Sequence, residues 1–194
     1  MMETMNEHND IIKSTTILGE EMSVSINGYH KELKERFEAE KERLRKVLGN
    51  DVIIEHVGSS AVGIGGKNIV DILIGVKSTD DMVPVRDLLT VAGYREGHDT
   101  HPERIFMALR ANDDGTDRET EEGDCHIHIV VDGSEECMNM IRLRDFLRAN
   151  LEEAKKYFEM KSVFAKEAGY DRKTYKALKS KYVSELLKKA RNSS

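Results

Sequence analysis

A few residues in this chain have the types and spacing that phosphate and cation chemistry requires. Gly58-Ser59 sits where an apolar stretch ends, and Asp71 follows twelve residues after Ser59 within Ile69-Val70-Asp71-Ile72-Leu73-Ile74. Backbone amides and a hydroxyl at such a turn hold phosphate groups well. A carboxylate inside an apolar strand is costly unless a cation or donor meets it. Asp71 therefore binds a divalent cation, accepts from a lysine or arginine, or lies at the open end of its strand. Two-metal phosphoryl transfer wants several carboxylates close together. The positions two before and two after Asp71 are Ile69 and Leu73, so the second carboxylate is missing.

Two histidines form the next element. Strand alternation puts His126 and His128 on one face, with Cys125 and Ile127 on the other. Imidazoles so placed suit a divalent metal (magnesium or zinc) together with Asp71, or a general base at His128. The competing reading is polar packing. A histidine-based hydrolytic metal site would need His56 as a third imidazole. Lys67 closes the loop Gly63-Ile64-Gly65-Gly66 and can reach a phosphate as a point charge. This loop is not a Walker A motif, which would need Gly at Ala61 and Ser or Thr at Asn68.

The elements that must carry these residues follow from periodicity. Residues 29–48 have apolar positions at helical spacing, Leu33, Phe37, Leu44, Val47 and Leu48, and a Gly49-Asn50 stop. Residues 51–57 read as a strand, and 58–67 hold four glycines, so a tight turn follows. Residues 69–76 are nearly continuous apolar sequence, the mark of a central strand covered on both faces. A short helix over 83–92, a hairpin from 94–96 and 104–109, a polar loop over 111–124 and a strand over 125–131 complete the core. Residues 24–26 read as a short edge strand. After Ser134 the pattern is helical, interrupted at Gly169-Tyr170-Asp171. The expected organisation is a flexible leader over 1–22, an α/β core over 23–133 and a helical region over 134–192 packed on it.

Composition narrows the function classes. The chain has 194 residues, a net charge of -6 and no long basic block, which argues against generic nucleic-acid binding through phosphate neutralisation. Two cysteines make no disulfide framework, the first ten residues are polar, and no apolar run approaches membrane-spanning length. The reading is a cytoplasmic protein with no membrane partner.

The block His56-Val57-Gly58-Ser59-Ser60-Ala61-Val62, with Lys67-Asn68-Ile69-Val70-Asp71-Ile72-Leu73-Ile74, resembles the GrpB family. That family's pattern reads roughly His-Val-Gly-Ser-Thr-Ala-Val, then Lys-Pro-Ile-Ile-Asp-Ile-Leu-Val. His126-Ile127-His128 and Arg144-Asp145-Phe146-Leu147-Arg148 recur in family order, as do Tyr175 and Lys179. Helix-face packing with solvated charges is the plainer reading of the last two groups. Arg104, two before Phe106, falls where the family has an arginine, which implies pairing with Asp71 or anion binding. The loop Val62-Gly63-Ile64-Gly65-Gly66-Lys67 is one residue shorter than the family's. The resemblance implies a nucleotidyltransferase-like α/β (α+β) mixed sheet with a C-terminal helical segment. It also implies a partnership with an enzyme of coenzyme A metabolism.

The expectation is one cleft in which Gly58, Ser59, Lys67 and Arg104 hold a nucleotide or another phosphorylated small molecule. Asp71 and His128 would be its catalytic groups for nucleotidyl or phosphoryl transfer. The rival is a non-catalytic interaction module that keeps the fold.

Overall fold

The strand Ile69–Val76 (β2) organises the molecule, because it is buried along its whole length except at Asp71. The computed structural model describes residues 32–64, 69–97, 101–109, 124–169 and 171–193. The expected leader, the edge strand over 24–26 and the loop over 111–123 lie outside them. Ahead of β2 come helix α1 (Leu33–Leu48), strand β1 (Ile53–Val57) and the one-turn helix α2 (Gly58–Val62). After it come α3 (Met82–Val91), β3 (Tyr94–Glu96), β4 (Ile105–Leu109) and β5 (Asp124–Val131). Three helices follow: α4 (Glu135–Ala149), α5 (Leu151–Glu167) and α6 (Arg172–Asn192).

The strands form one mixed sheet in the order β1-β2-β5-β4-β3. β2 runs antiparallel to β1 and parallel to β5, with Asp71 level with Val57 on one side and His126 on the other. β5 pairs antiparallel with β4, and β4 with β3, which is the expected hairpin. Parallel pairing of β2 and β5 requires a crossover, and α3 with the β3–β4 hairpin supplies it.

Alternation sends the two faces of each strand into different surroundings. Val70, Ile72, Ile74, Ile127 and Ile129 pack against Leu33, Phe37 and Leu44 of α1 and Met82, Val85 and Leu89 of α3. Cys125 belongs to this layer, as its opposition to His126 requires. On the other face Val57, Leu73 and Val130 meet Cys137, Met140 and Ile141 of α4. Burying each large aliphatic side chain here stabilises the fold by about 2 kcal/mol. The α4–α6 helices share their own core of Leu147, Ala154, Tyr157 and Leu186, which reaches back to Val62 and Ile64. Helix ends are marked in the sequence: Ser134 accepts from the Cys137 N–H, and Asp171 from the Thr174 N–H. No helix among the described residues is long and apolar enough to cross a membrane.

His56 belongs to the first layer, not to a histidine metal set. Its ring stacks on Phe37 at 4.5 Å between centroids, and its Nε2 lies 3.0 Å from the Ser60 hydroxyl. The hydrolytic site that needed His56 beside His126 and His128 is therefore not formed. Burial pushes the His56 pKa down to about 4, against the pull of Asp71 and helped by Arg148 and Arg144. A depressed pKa contributes stability above the unfolded value, near 6.5, and that stability is lost as pH falls toward 4. Urea unfolding should therefore show a loss of about 2 kcal/mol between pH 7 and about pH 5. His128, also depressed by burial, acts in the same direction. The His56→Gln variant should keep only the shallower remainder of this slope, and an unchanged slope would remove His56 as its source.

Candidate functional site

Asp71 projects from β2 toward the α4 side, where β5 brings two imidazoles to it. The Asp71 Oδ1 atom lies 3.5 Å from His126 Nδ1 and 3.6 Å from His128 Nε2. Burial alone would raise the Asp71 pKa, but the two imidazole nitrogens overcome this and hold the carboxyl well below the usual range. Burial pushes the His128 pKa down, against the pull of Asp71. His128 Nδ1 is buried with no hydrogen-bond partner among the described residues. Phe106 of β4 packs across both rings, 4.9 Å from His126 and 5.5 Å from His128 between centroids.

The Gly58 turn is built onto the same carboxylate. Gly58 has φ 70°, and a Cβ there would run into Asp71 Oδ2 and stand 2.9 Å from its Cγ. Ser60, a residue the sequence reading passed over, closes the arrangement. Its hydroxyl accepts the Asp71 N–H at 3.3 Å and donates to the Val57 carbonyl at 3.4 Å. Arg144 of α4 then fixes the turn from outside, donating to Glu55 Oε2 at 2.6 Å and to the His56 carbonyl at 3.0 Å. Arg148 donates to the Ala61 carbonyl at 3.0 Å. Within the run Arg144-Asp145-Phe146-Leu147-Arg148, buried Arg144 thus clamps β1 and Arg148 reaches α2, while Asp145 and Arg148 keep about half of their side-chain surface in solvent. Arg144 is buried because it must cross from helix to strand.

These groups open onto one cleft of about 1120 Å³ between the sheet and the three C-terminal helices. Gly58, Ser59, Asp71, His126, His128 and Arg104 all line it, as expected; Lys67 lies outside the described residues. Arg104 donates to Glu136 of α4 at 2.5 Å. The far wall comes from α5 and α6. Tyr175 and Lys179, read from sequence as packing positions, face the cleft, together with Tyr157 and Lys161. Lys161 had a sequence signal that went unused. Ala154, Tyr157, Phe164 and Ala165 mark the buried stripe of α5, and Lys161 occupies a position within it.

Among the described residues no group of three or more His, Cys, Asp or Glu is arranged to hold a metal ion. Leu73, at one of the two positions that could have held a second carboxylate, is fully buried against Val57, Val130 and Cys137. One carboxylate does suit a magnesium ion that arrives already coordinated by a ligand's phosphates.

The fold is shared with the crystal structure of the conserved protein GrpB from Enterococcus faecalis. That match has TM-score 0.69 and 23% identity, and covers 85% of this chain and 96% of that one. It is an α/β (α+β) arrangement, a mixed sheet with a C-terminal helical segment, as the resemblance implied. The GrpB protein family matches residues 23–189, and the chain belongs to that family. It is 34% identical to the UPF0157 protein BH1888 of Halalkalibacterium halodurans, over 87% of this chain and 83% of that one. It is 30% identical to the glutamate-rich protein GrpB of Alkalihalophilus pseudofirmus, over 79% of this chain and 88% of that one.

Proposed function

We propose that the cleft binds a nucleotide or another phosphorylated small molecule, with its phosphates against the basic walls and its magnesium ion at Asp71. The observation that carries this reading is a local reversal of charge. The chain as a whole has 30 Lys and Arg against 36 Asp and Glu. Among the described residues, seven Lys or Arg line the cleft against three Asp or Glu. Glu135 and Glu136 are paired with Arg191 and Arg104, which leaves Asp71 as the carboxylate beside the Gly58-Ser59 turn. A positive concavity with low-dielectric walls concentrates anionic ligands. Leu73 argues for binding without two-metal transfer.

Transfer with Asp71 and His128 as catalytic groups is the second reading, favoured by their placement on the same cleft as the basic wall. It differs in requiring turnover, seen as release of pyrophosphate or phosphate from a bound triphosphate. Thermal denaturation with magnesium and a panel of ribonucleoside triphosphates, phosphopantetheine compounds and their dephosphorylated counterparts tests the binding reading. A ligand at about a hundredfold above its Kd should stabilise the protein by about 3 kcal/mol. The effect should be absent with the dephosphorylated compounds, and equal shifts from both sets would overturn it.

A further inference from the structure

We infer that Lys161 and Lys179 together form the subsite for a dianionic group, such as a terminal phosphoryl, on the helical wall of the cleft, and that Lys161 gains a proton when the anion binds. The inference deepens the proposed function and rests on its cleft, while naming residues and a proton-coupled behaviour that the reading itself does not require.

The two lysines come from different helices, α5 and α6, and converge on the cleft that Asp71 floors. Lys161 is only 3% exposed, and its Nζ lies 4.6 Å from the centre of the Tyr157 ring. An ammonium taken that far out of water is unfavourable, and a second ammonium acting on it adds to the penalty. Among the described residues, the groups acting on Lys161 include Lys179 on α6, Tyr157 on its own helix and Asp71 on β2. Burial, then Lys179, lower the Lys161 pKa to about 7, with Asp71 opposing them. Lys179 itself stays charged. The Tyr157 phenol, outweighing burial and joined by Tyr175 and Asp71, lifts its pKa against Arg104.

Lys179, its pKa raised, is therefore the cation of the pair at neutral pH, and Lys161, its pKa lowered to about 7, is the neighbour that loses its proton more readily. A dianion placed between them relieves their repulsion and favours the charged form of Lys161. Binding above neutral pH then takes up a proton, and affinity falls as pH rises through the Lys161 titration. Tyr157 and Tyr175 line the same wall and supply hydroxyl donors suited to anion oxygens.

Inorganic sulfate is the probe, because its charge is fixed over the working range. Calorimetric titration of the full chain at about pH 6 and about pH 8.5 should show affinity at least about tenfold weaker at the higher pH. At about pH 8, titrations in buffers of different ionisation enthalpy should report uptake of a proton on binding. Lys161→Met should bind weakly at both values, and Lys179→Met should bind weakly while keeping a pH dependence. Lys161→Arg should bind with equal strength at both, which a purely structural role for the lysine would not produce. Equal wild-type affinity at both pH values without proton uptake overturns the inference, and so does wild-type binding by a folded Lys161→Met protein. Sulfate binding with the expected pH profile, but no response to any phosphorylated compound, would sink the proposed function and leave the subsite. Nucleotide binding indifferent to Lys161→Met would do the reverse.

Discussion

Replacing Gly58 by alanine destabilises the protein by about 3 kcal/mol, and the loss shrinks to about 2 kcal/mol when Asp71 is also made alanine. Two separate costs produce this result. The first is backbone strain: φ is 70° at Gly58, a region that L residues enter at a penalty of about 1–2 kcal/mol. The second is steric, because the new methyl group would collide with the Asp71 carboxylate, whose Cβ would be only 3.0 Å away. The carboxylate cannot retreat freely, since His126 and His128 hold it from the β5 side and its own N–H is bound to Ser60. Removing the carboxylate removes the clash with its oxygen and Cγ but leaves the strain and the tight approach to the Cβ that alanine keeps, so the two substitutions couple. Chemical denaturation of the two single variants and the double variant measures this coupling. Strict additivity would mean that Gly58 and Asp71 do not shape one another, and that the turn and the carboxylate are not one construction.

Much of this site was legible before the structure because alternation and burial are strict rules within a sheet. Asp71 sits in an apolar strand, and His126 and His128 sit two apart, so their common face follows once β2 and β5 are neighbours. The first core layer was likewise written in the periodicity of α1 and β2. What stayed hidden depends on tertiary placement. No local pattern says that Arg144 crosses to Glu55 and the His56 carbonyl, and a charged run on a helix is ordinarily solvated. Ser60 looks like any turn serine until its hydroxyl is seen between the His56 ring and the Asp71 amide. Tyr175 and Lys179 have helix spacing that packing alone would explain, and only the meeting of α5 with α6 turns them toward Asp71. Lys161 is the instructive omission. A lysine within the buried stripe of a helix departs from the pattern around it, and such departures concentrate where function overrides packing.

The central claim is that Asp71 meets a cation carried on a phosphorylated ligand, and the Asp71→Asn variant tests it with a change of sign. Asparagine keeps the shape and removes the charge. With magnesium present, the carboxylate bridges to the metal on the phosphates, so its loss should weaken binding by about tenfold or more. With the metal chelated, the same carboxylate only repels the phosphates, and its removal should strengthen binding several-fold, to an extent reduced by salt. The measurement is calorimetric titration of wild type and Asp71→Asn with the ribonucleoside triphosphates, each with magnesium and with chelator. The account predicts that the variant binds more weakly than wild type with magnesium and more tightly without it. Variant and wild-type affinities that shift in the same direction under both conditions, or no binding of any triphosphate by the wild type, would contradict it.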